Sequence, residues 1–130
     1  MAKSCAFCTN PDILARRITK NARFCAFPTN IPIVPGHTLI VPLRHVATFE
    51  ALTAKERLAM TAMLKQIQRS LTKSFGAKGF NIAWNEGAVA GQSVPHFHLH
   101  VLPRKVGAEG ITKYEPRKFI YRPGSREASP

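Results

Sequence analysis

The stretch Ser93-Val94-Pro95-His96-Phe97-His98-Leu99-His100-Val101-Leu102-Pro103-Arg104 decides the fold and points to the chemistry. Three of the five histidines of the chain fall here at a spacing of two. A strand has a side-chain period of two. The alternation therefore predicts a strand with His96, His98 and His100 on one face and Phe97, Leu99 and Val101 on the other. One face packs a core; the other offers three imidazoles on rigid backbone.

The flanking sequence supplies the rest of an α+β domain. Segments 21–29, 37–43 and 80–84 read as strands, with Pro42 marking an edge or a strand end. Thr53-Ala54-Lys55-Glu56 is a capping-box signature for a helix running to about Ser74. Met60, Met63, Leu64, Ile67, Leu71 and Phe75 recur at helical spacing as its buried stripe, and Lys55, Arg57, Lys65, Gln68, Arg69 and Lys73 form its wet side. A short helical piece begins near Pro11-Asp12. Gly76 and Gly79 end the long helix, and Asn85-Glu86-Gly87 and Gly91-Gln92 are turn signals. At least four strands and one long helix with long connections favour a mostly antiparallel sheet.

A chain of 130 residues with 45% apolar content is expected to form one domain with a real core. Met1 to Ser4 lead into Cys5 without an apolar signal segment, and no run spans a membrane. Three cysteines form no disulfide framework, so a cytoplasmic location is expected. The net charge of +12 favours anionic partners: nucleotides, polyphosphates or a nucleic-acid backbone. Solubility alone also accounts for it.

Imidazoles on one strand face could share a bound phosphate, hold a metal, or form a plain surface stripe. A neutral His98 becomes a nucleophile through one ring nitrogen when an acceptor, a histidine or a backbone carbonyl, holds the other. Gly91-Gln92-Ser93 lies just before, where backbone and hydroxyl can approach an anion. These are the parts of phosphoryl or nucleotidyl transfer through a phosphohistidine.

The segment 91–104 resembles the signature of the histidine triad (HIT) family, and Pro35-Gly36-His37-Thr38-Leu39-Ile40-Val41-Pro42-Leu43-Arg44-His45 and Asn85-Glu86-Gly87 resemble its other recurrent stretches. The likeness covers roughly residues 5–105. It implies a HIT-like fold: a sheet of about five strands, one long helix, a short N-terminal helix, and sheets joined across a homodimer. The domain is placed at residues 1–110, with a basic, partly ordered C-terminal extension over 111–130. It also implies a nucleotide hydrolase, with His98 as nucleophile, His100 as its support, His96 on the leaving-group side, His37 behind the network and Ser93 at the scissile bond. Asn85, Gln92 and Gly91 fall beside the phosphates. Thr29, eight residues before His37, takes the ribose position, with Asn30 next to it.

The implied substrate is a dinucleoside polyphosphate or related phosphoanhydride, cleaved through a nucleotidyl-histidine. Leu102-Pro103-Arg104-Lys105 resembles the polyphosphate branch, and Arg44, Arg104 and Lys105 would favour a longer anion. Asn85-Glu86-Gly87 and Gln92-Ser93 resemble the adenosine phosphoramidate branch. A nucleotide-binding regulatory protein with little turnover, or an enzyme acting on adenylylated DNA ends, are the other readings; nucleic acid is not favoured as partner. Ile18, Phe7, Phe27 and Leu39 are candidate base-pocket walls or plain core.

Cys5-Ala6-Phe7-Cys8 has metal-ligand spacing, though such a pair is also read as redox-active or as two small residues. Some family members place zinc on such a pair with two histidines. The matching residues are His45 and His96, giving a structural zinc site of Cys5, Cys8, His45 and His96 that draws His96 away from proton donation.

Overall fold

The computed structural model describes residues 5–107. The expected extension over 111–130, the domain boundary before it, and the anchors Tyr114, Phe119, Ile120 and Tyr121 lie outside the described residues. In chain order the elements are α1 (Ala6–Thr9), α2 (Pro11–Ala15), β1 (Thr19–Lys20), β2 (Phe24–Pro28), β3 (Thr38–Pro42), α3 (Ala54–Phe75), β4 (Gly79–Ala83), a 3-10 turn (Ala88–Ala90) and β5 (Leu99–Arg104). The five strands form one antiparallel sheet in the order β1-β2-β3-β5-β4. The α+β architecture with one long helix is as expected.

β3 is the middle strand, so Pro42 marks a strand end and not an edge. β5 pairs with β3 only from Val101 back to Leu99, opposite Ile40; Val41 and Pro42 pair with β2 alone. The β5 ladder thus stops at Leu99, and of the three histidines only His100 lies within the strand. Phe97 N–H leaves the ladder for the Val46 carbonyl, and His96 turns toward Pro42. Ladder pairing ends there, but the alternation of faces continues: Phe97 joins the core beneath α3, while His96 and His98 both meet Phe7 on the other side.

The core face holds as read. Phe97, Leu99 and Val101 pack with Phe24, Ala26 and Ile40 against Met63, Ile67 and Leu71 of α3. Cys5, Phe7, Ile13, Cys25, Phe27, Leu39, Val41 and Val94 fill a second core cluster. Successive residues of β2 and β3 divide between the two clusters, as the period of two requires, so the clusters lie on opposite faces of the sheet. Met60 and Leu64 are half-buried at the margin of the first, whereas Phe75 is 39% exposed.

Thr53 caps α3: its Oγ1 accepts from Glu56 N–H, and Glu56 accepts from Thr53 N–H. Gly76 ends it in the left-handed region. Two elements were not foreseen. Asn21 Oδ1 accepts from the N–H groups of Arg23 and Phe24, making a tight turn that pairs β1 with β2 and delays β2 to Phe24. The short helix α1 begins just after Cys5, its N-cap, and contains Cys8. Gly36 is required by geometry: its φ is 89°, and a Cβ there would lie 2.9 Å from Pro103 Cγ. That close turn delivers His37 to the head of β3.

Candidate active site and metal centre

His37, His98 and His100 are all buried, and His98 and His100 stand with ring centroids 5.1 Å apart. A chain of hydrogen bonds fixes their tautomers. Ile33 N–H donates to His37 Nδ1 at 3.1 Å, so His37 carries its proton on Nε2. That Nε2–H donates to His100 Nδ1 at 2.9 Å, which leaves His100 with its own proton on Nε2. His98 Nδ1–H donates to the His96 carbonyl at 2.8 Å, leaving the lone pair of His98 Nε2 uncommitted. A backbone carbonyl, not a neighbouring ring, holds the middle histidine. Donor and lone pair thus stand on adjacent rings, as attack on an anionic phosphorus requires.

Burial is the main force on these rings. It pushes His37 down to about 4, with the charges of Arg104 and His98 adding to the shift. It pushes His100 down to about 2, with His98 and His37 adding. His98 is also lowered by burial, against the pull of the His96 carbonyl. All three are neutral at pH 7, which keeps the His98 lone pair available.

His96 belongs to a different group. Its Nε2–H donates to the Pro42 carbonyl at 2.9 Å, leaving Nδ1 as the free donor atom. Nδ1 faces Cys5 Sγ at 3.5 Å, Cys8 Sγ at 3.6 Å and His45 Nδ1 at 3.1 Å, and Cys8 Sγ lies 3.4 Å from His45 Nδ1. All four ligand atoms lie within 4.8 Å of one another. A tetrahedron with metal–sulfur bonds of about 2.3 Å and metal–nitrogen bonds of about 2.05 Å has N···S edges of about 3.6 Å and an N···N edge of about 3.3 Å. The four side chains therefore fit a closed tetrahedral metal ion. Cys25 is a separate buried thiol, as expected, pushed up in pKa by burial.

Phe7 was read only as pocket wall or core. Its ring stands edge-on to His96 at 5.5 Å, to His98 at 5.1 Å and to Phe27 at 5.6 Å. It is the residue between two metal-spaced cysteines, and that position was the available signal. The Pro42 and His96 carbonyls had none, because backbone acceptors leave no mark on the sequence.

The remaining expected residues are scattered in role. Gly91 is left-handed at φ 95°, with Asn85 Nδ2 3.6 Å from where its Cβ would be, so Asn85 lies against this turn. Gln92 braces the loop with both ends of its amide, accepting from Gly87 N–H at 2.7 Å and donating to the Ala47 carbonyl at 3.1 Å. Ser93 follows, half-buried. Thr29 is buried and its hydroxyl accepts from Ile31 N–H at 3.3 Å; Asn30 is exposed. Phe27 and Leu39 are fully buried core, and Ile18 is 58% exposed. Arg44 is bound bidentate to Glu56, with Nη2–Oε1 at 2.7 Å and Nε–Oε2 at 3.0 Å, and also donates to the Ala51 carbonyl. It anchors the start of α3 and is not held in reserve for a polyphosphate.

The family profile described as HIT domain matches residues 10–107. The chain belongs to the HIT family. An uncharacterized HIT-like protein of Mycoplasma genitalium is 38% identical over 110 residues, covering 83% of this chain and 78% of that protein. The asymmetrical bis(5'-nucleosyl)-tetraphosphatase of Schizosaccharomyces pombe is 40% identical over 80 residues, covering 62% of this chain and 44% of that enzyme, so the match spans less than half of it. A Zn-bound histidine triad family protein from Mycobacterium smegmatis superposes with a TM-score of 0.72 at 31% identity, covering 87% of this chain and 84% of that one.

Proposed function

We propose that this HIT protein is a nucleotide hydrolase that releases a nucleoside monophosphate from a dinucleoside polyphosphate or related phosphoanhydride. The observation that carries the reading is the orientation of His98, with Nδ1–H spent on the His96 carbonyl and Nε2 open beside His100. His98 Nε2 attacks the α-phosphorus, the P–O bond to the leaving phosphate breaks, and the leaving group departs with the electron pair. His100 Nε2–H, oriented through His37, donates to a phosphate oxygen as charge builds there. Water then attacks the same phosphorus, the P–N bond breaks, and the monophosphate leaves with its proton lost to solvent. Two in-line displacements give net retention at phosphorus.

The tetraphosphatase name of a relative supports the polyphosphate substrate. Arg44 is committed to Glu56, and Arg104 Nε–H donates to Asn81 Oδ1 at 2.7 Å, so neither guanidinium carries the preference for a long anion. Adenosine phosphoramidate hydrolysis would use the same histidines, and the position of Asn85 against Gly91 keeps that reading open. Ser93 and Asn85 are assigned to the phosphates, with Gly91 and Gln92 shaping the loop and Thr29 and Asn30 at the ribose.

The metal is read as zinc, supported by the N2S2 geometry and the Zn-bound relative. Its role is structural. Bound zinc would draw on the His96 Nδ1 lone pair, so leaving-group protonation falls to Ser93, water or the substrate. The outer edge of β4, which pairs with no further strand among the described residues, supports a homodimer with joined sheets. The lack of a disulfide among Cys5, Cys8 and Cys25 supports the cytoplasm, and among the described residues no helix is long and apolar enough to cross a membrane.

The test is hydrolysis of a chiral α-phosphorothioate dinucleotide in labelled water, alongside a panel of dinucleoside polyphosphates and adenosine phosphoramidate. Retention with the wild type and loss of turnover in His98→Ala, with nucleotide binding kept, are expected. Clean inversion excludes the covalent route.

A further inference from the structure

Helix α3 has a second face that the histidine chemistry does not use. Opposite its buried Met63, Ile67 and Leu71 stand Lys65, Arg69 and Lys73, all exposed and spaced four residues apart. Four residues of α-helix advance about 6 Å, so the three cations form a line of roughly 12 Å. Half-buried Gln68 and exposed Thr72 complete the rim of an open depression of about 490 Å³. Glu56 is the only acidic residue of α3, and it is buried against Arg44. Among the described residues, ion pairs join only Arg16 to Asp12 and Arg44 to Glu56, so this line of cations has no acidic partner.

That arrangement works against the helix. Like charges at a spacing of four destabilise a helix, and Lys65–Arg69 and Arg69–Lys73 are two such pairs. A face shaped for solubility alone would interleave the two signs. A bound polyanion removes the repulsion.

We propose that this face of α3 docks on the phosphodiester backbone of a nucleic acid, without reading its bases. The lysines supply point charges and Arg69 a planar fork for phosphate, while the Gln68 amide adds an uncharged donor; the Thr72 hydroxyl is spent on the Gln68 carbonyl at 2.9 Å. A membrane surface is the weaker fit, because the apolar stripe of α3 is already spent on the sheet and Leu58 is the one large apolar residue exposed on the helix before its last turn. The docking face is turned away from the histidines. The residues that meet α3 are Leu99 and Val101, whereas Phe7, in the opposite core cluster, packs on His98. Docking therefore leaves the nucleotide site open. This inference does not rest on the proposed hydrolysis.

The experiment is fluorescence anisotropy of the full chain with a labelled DNA duplex and a labelled RNA strand of mixed sequence, between about 50 and 200 mM salt. Lys65→Gln/Arg69→Gln/Lys73→Gln is compared with Lys20→Gln/Arg23→Gln/Lys78→Gln, which removes the same charge from exposed positions outside α3. The expected result is a drop of roughly 2–3 in the salt slope for the α3 variant, about 0.9 per lost phosphate contact, with a much smaller change in the control. Arg69→Gln alone is expected to lose about one such contact. Melting no lower than wild type checks the fold, and unchanged nucleotide turnover checks that the two faces are separate. No measurable binding by the wild type, an equal loss in both triple variants, or a preference for phosphatidylserine vesicles over DNA and RNA would each overturn the proposal.

Discussion

Replacing His37 with phenylalanine keeps a ring of similar size and removes the hydrogen bond that sets the tautomer of His100. His100 is 2% exposed, so water cannot take over the lost donor. A buried acceptor left unsatisfied costs about 1–3 kcal/mol. In the resting protein this appears as lower stability, roughly 3–6 °C in Tm per kcal/mol for a chain of this length. In turnover it reappears because His100 can now place its proton on Nδ1, presenting a lone pair to the phosphate. If the same 1–3 kcal/mol is lost at the transition state, kcat falls on the order of 5- to 150-fold. KM should change by much less, since substrate charge builds on that oxygen only during attack. Steady-state release of monophosphate from a dinucleoside tetraphosphate measures both constants. His37→Gln, whose amide can donate to the same nitrogen, is expected to recover part of kcat. A His37→Phe enzyme with kcat within a factor of about two of wild type would refute the tautomer chain, because 1 kcal/mol already exceeds that.

Stability should fall in acid for a stated reason. His37 and His100 have folded pKa values lowered to about 4 and about 2, while the unfolded rings titrate near 6.5. Below that value the unfolded chain gains protons that the folded chain refuses, so each ring costs about 1.4 kcal/mol per pH unit down to its folded pKa. Urea midpoints should therefore decline from about pH 6.5 toward 4, and His37→Phe should lose about one proton of that slope; a flat profile for the wild type contradicts it. Metal analysis of untagged protein purified without chelator is expected to find about one zinc per subunit, and none in Cys8→Ser; wild-type protein free of zinc rejects the site. Light scattering should give twice the chain mass, and a monomer at micromolar concentration would count against the joined-sheet dimer.

Much of this site was legible in the sequence because its ligands are side chains. Cys5, Cys8, His45 and His96 come from three separate segments, yet each kept its residue type and spacing, and they converge as a family resemblance implied. The capping box of Thr53 and Glu56 was legible for the same reason: its partners lie within one turn. The triad face was legible as a period of two, but the extent of the strand was not, because pairing depends on neighbours the sequence does not print. β5 stops at Leu99, its last residue paired with β3, and the His96 ring donates to the carbonyl of Pro42. The structural partners of Arg44 and Gln92 were likewise not legible in the sequence. A cation or an amide near a candidate site looks available until Glu56 or the Ala47 carbonyl is seen to occupy it.

Phe7 ties two timescales together. It rides on α1, a helix of four residues whose first cap makes no side-chain hydrogen bond. So short a helix does not hold itself together in water. Its place is set by the cysteines on either side and by the rings it touches. The wall beside His98 is therefore only as durable as the thiol clip that carries it. Slow chemistry at sulfur, such as oxidation or exchange of a bound ion, would be felt in every fast turnover at the histidine beneath.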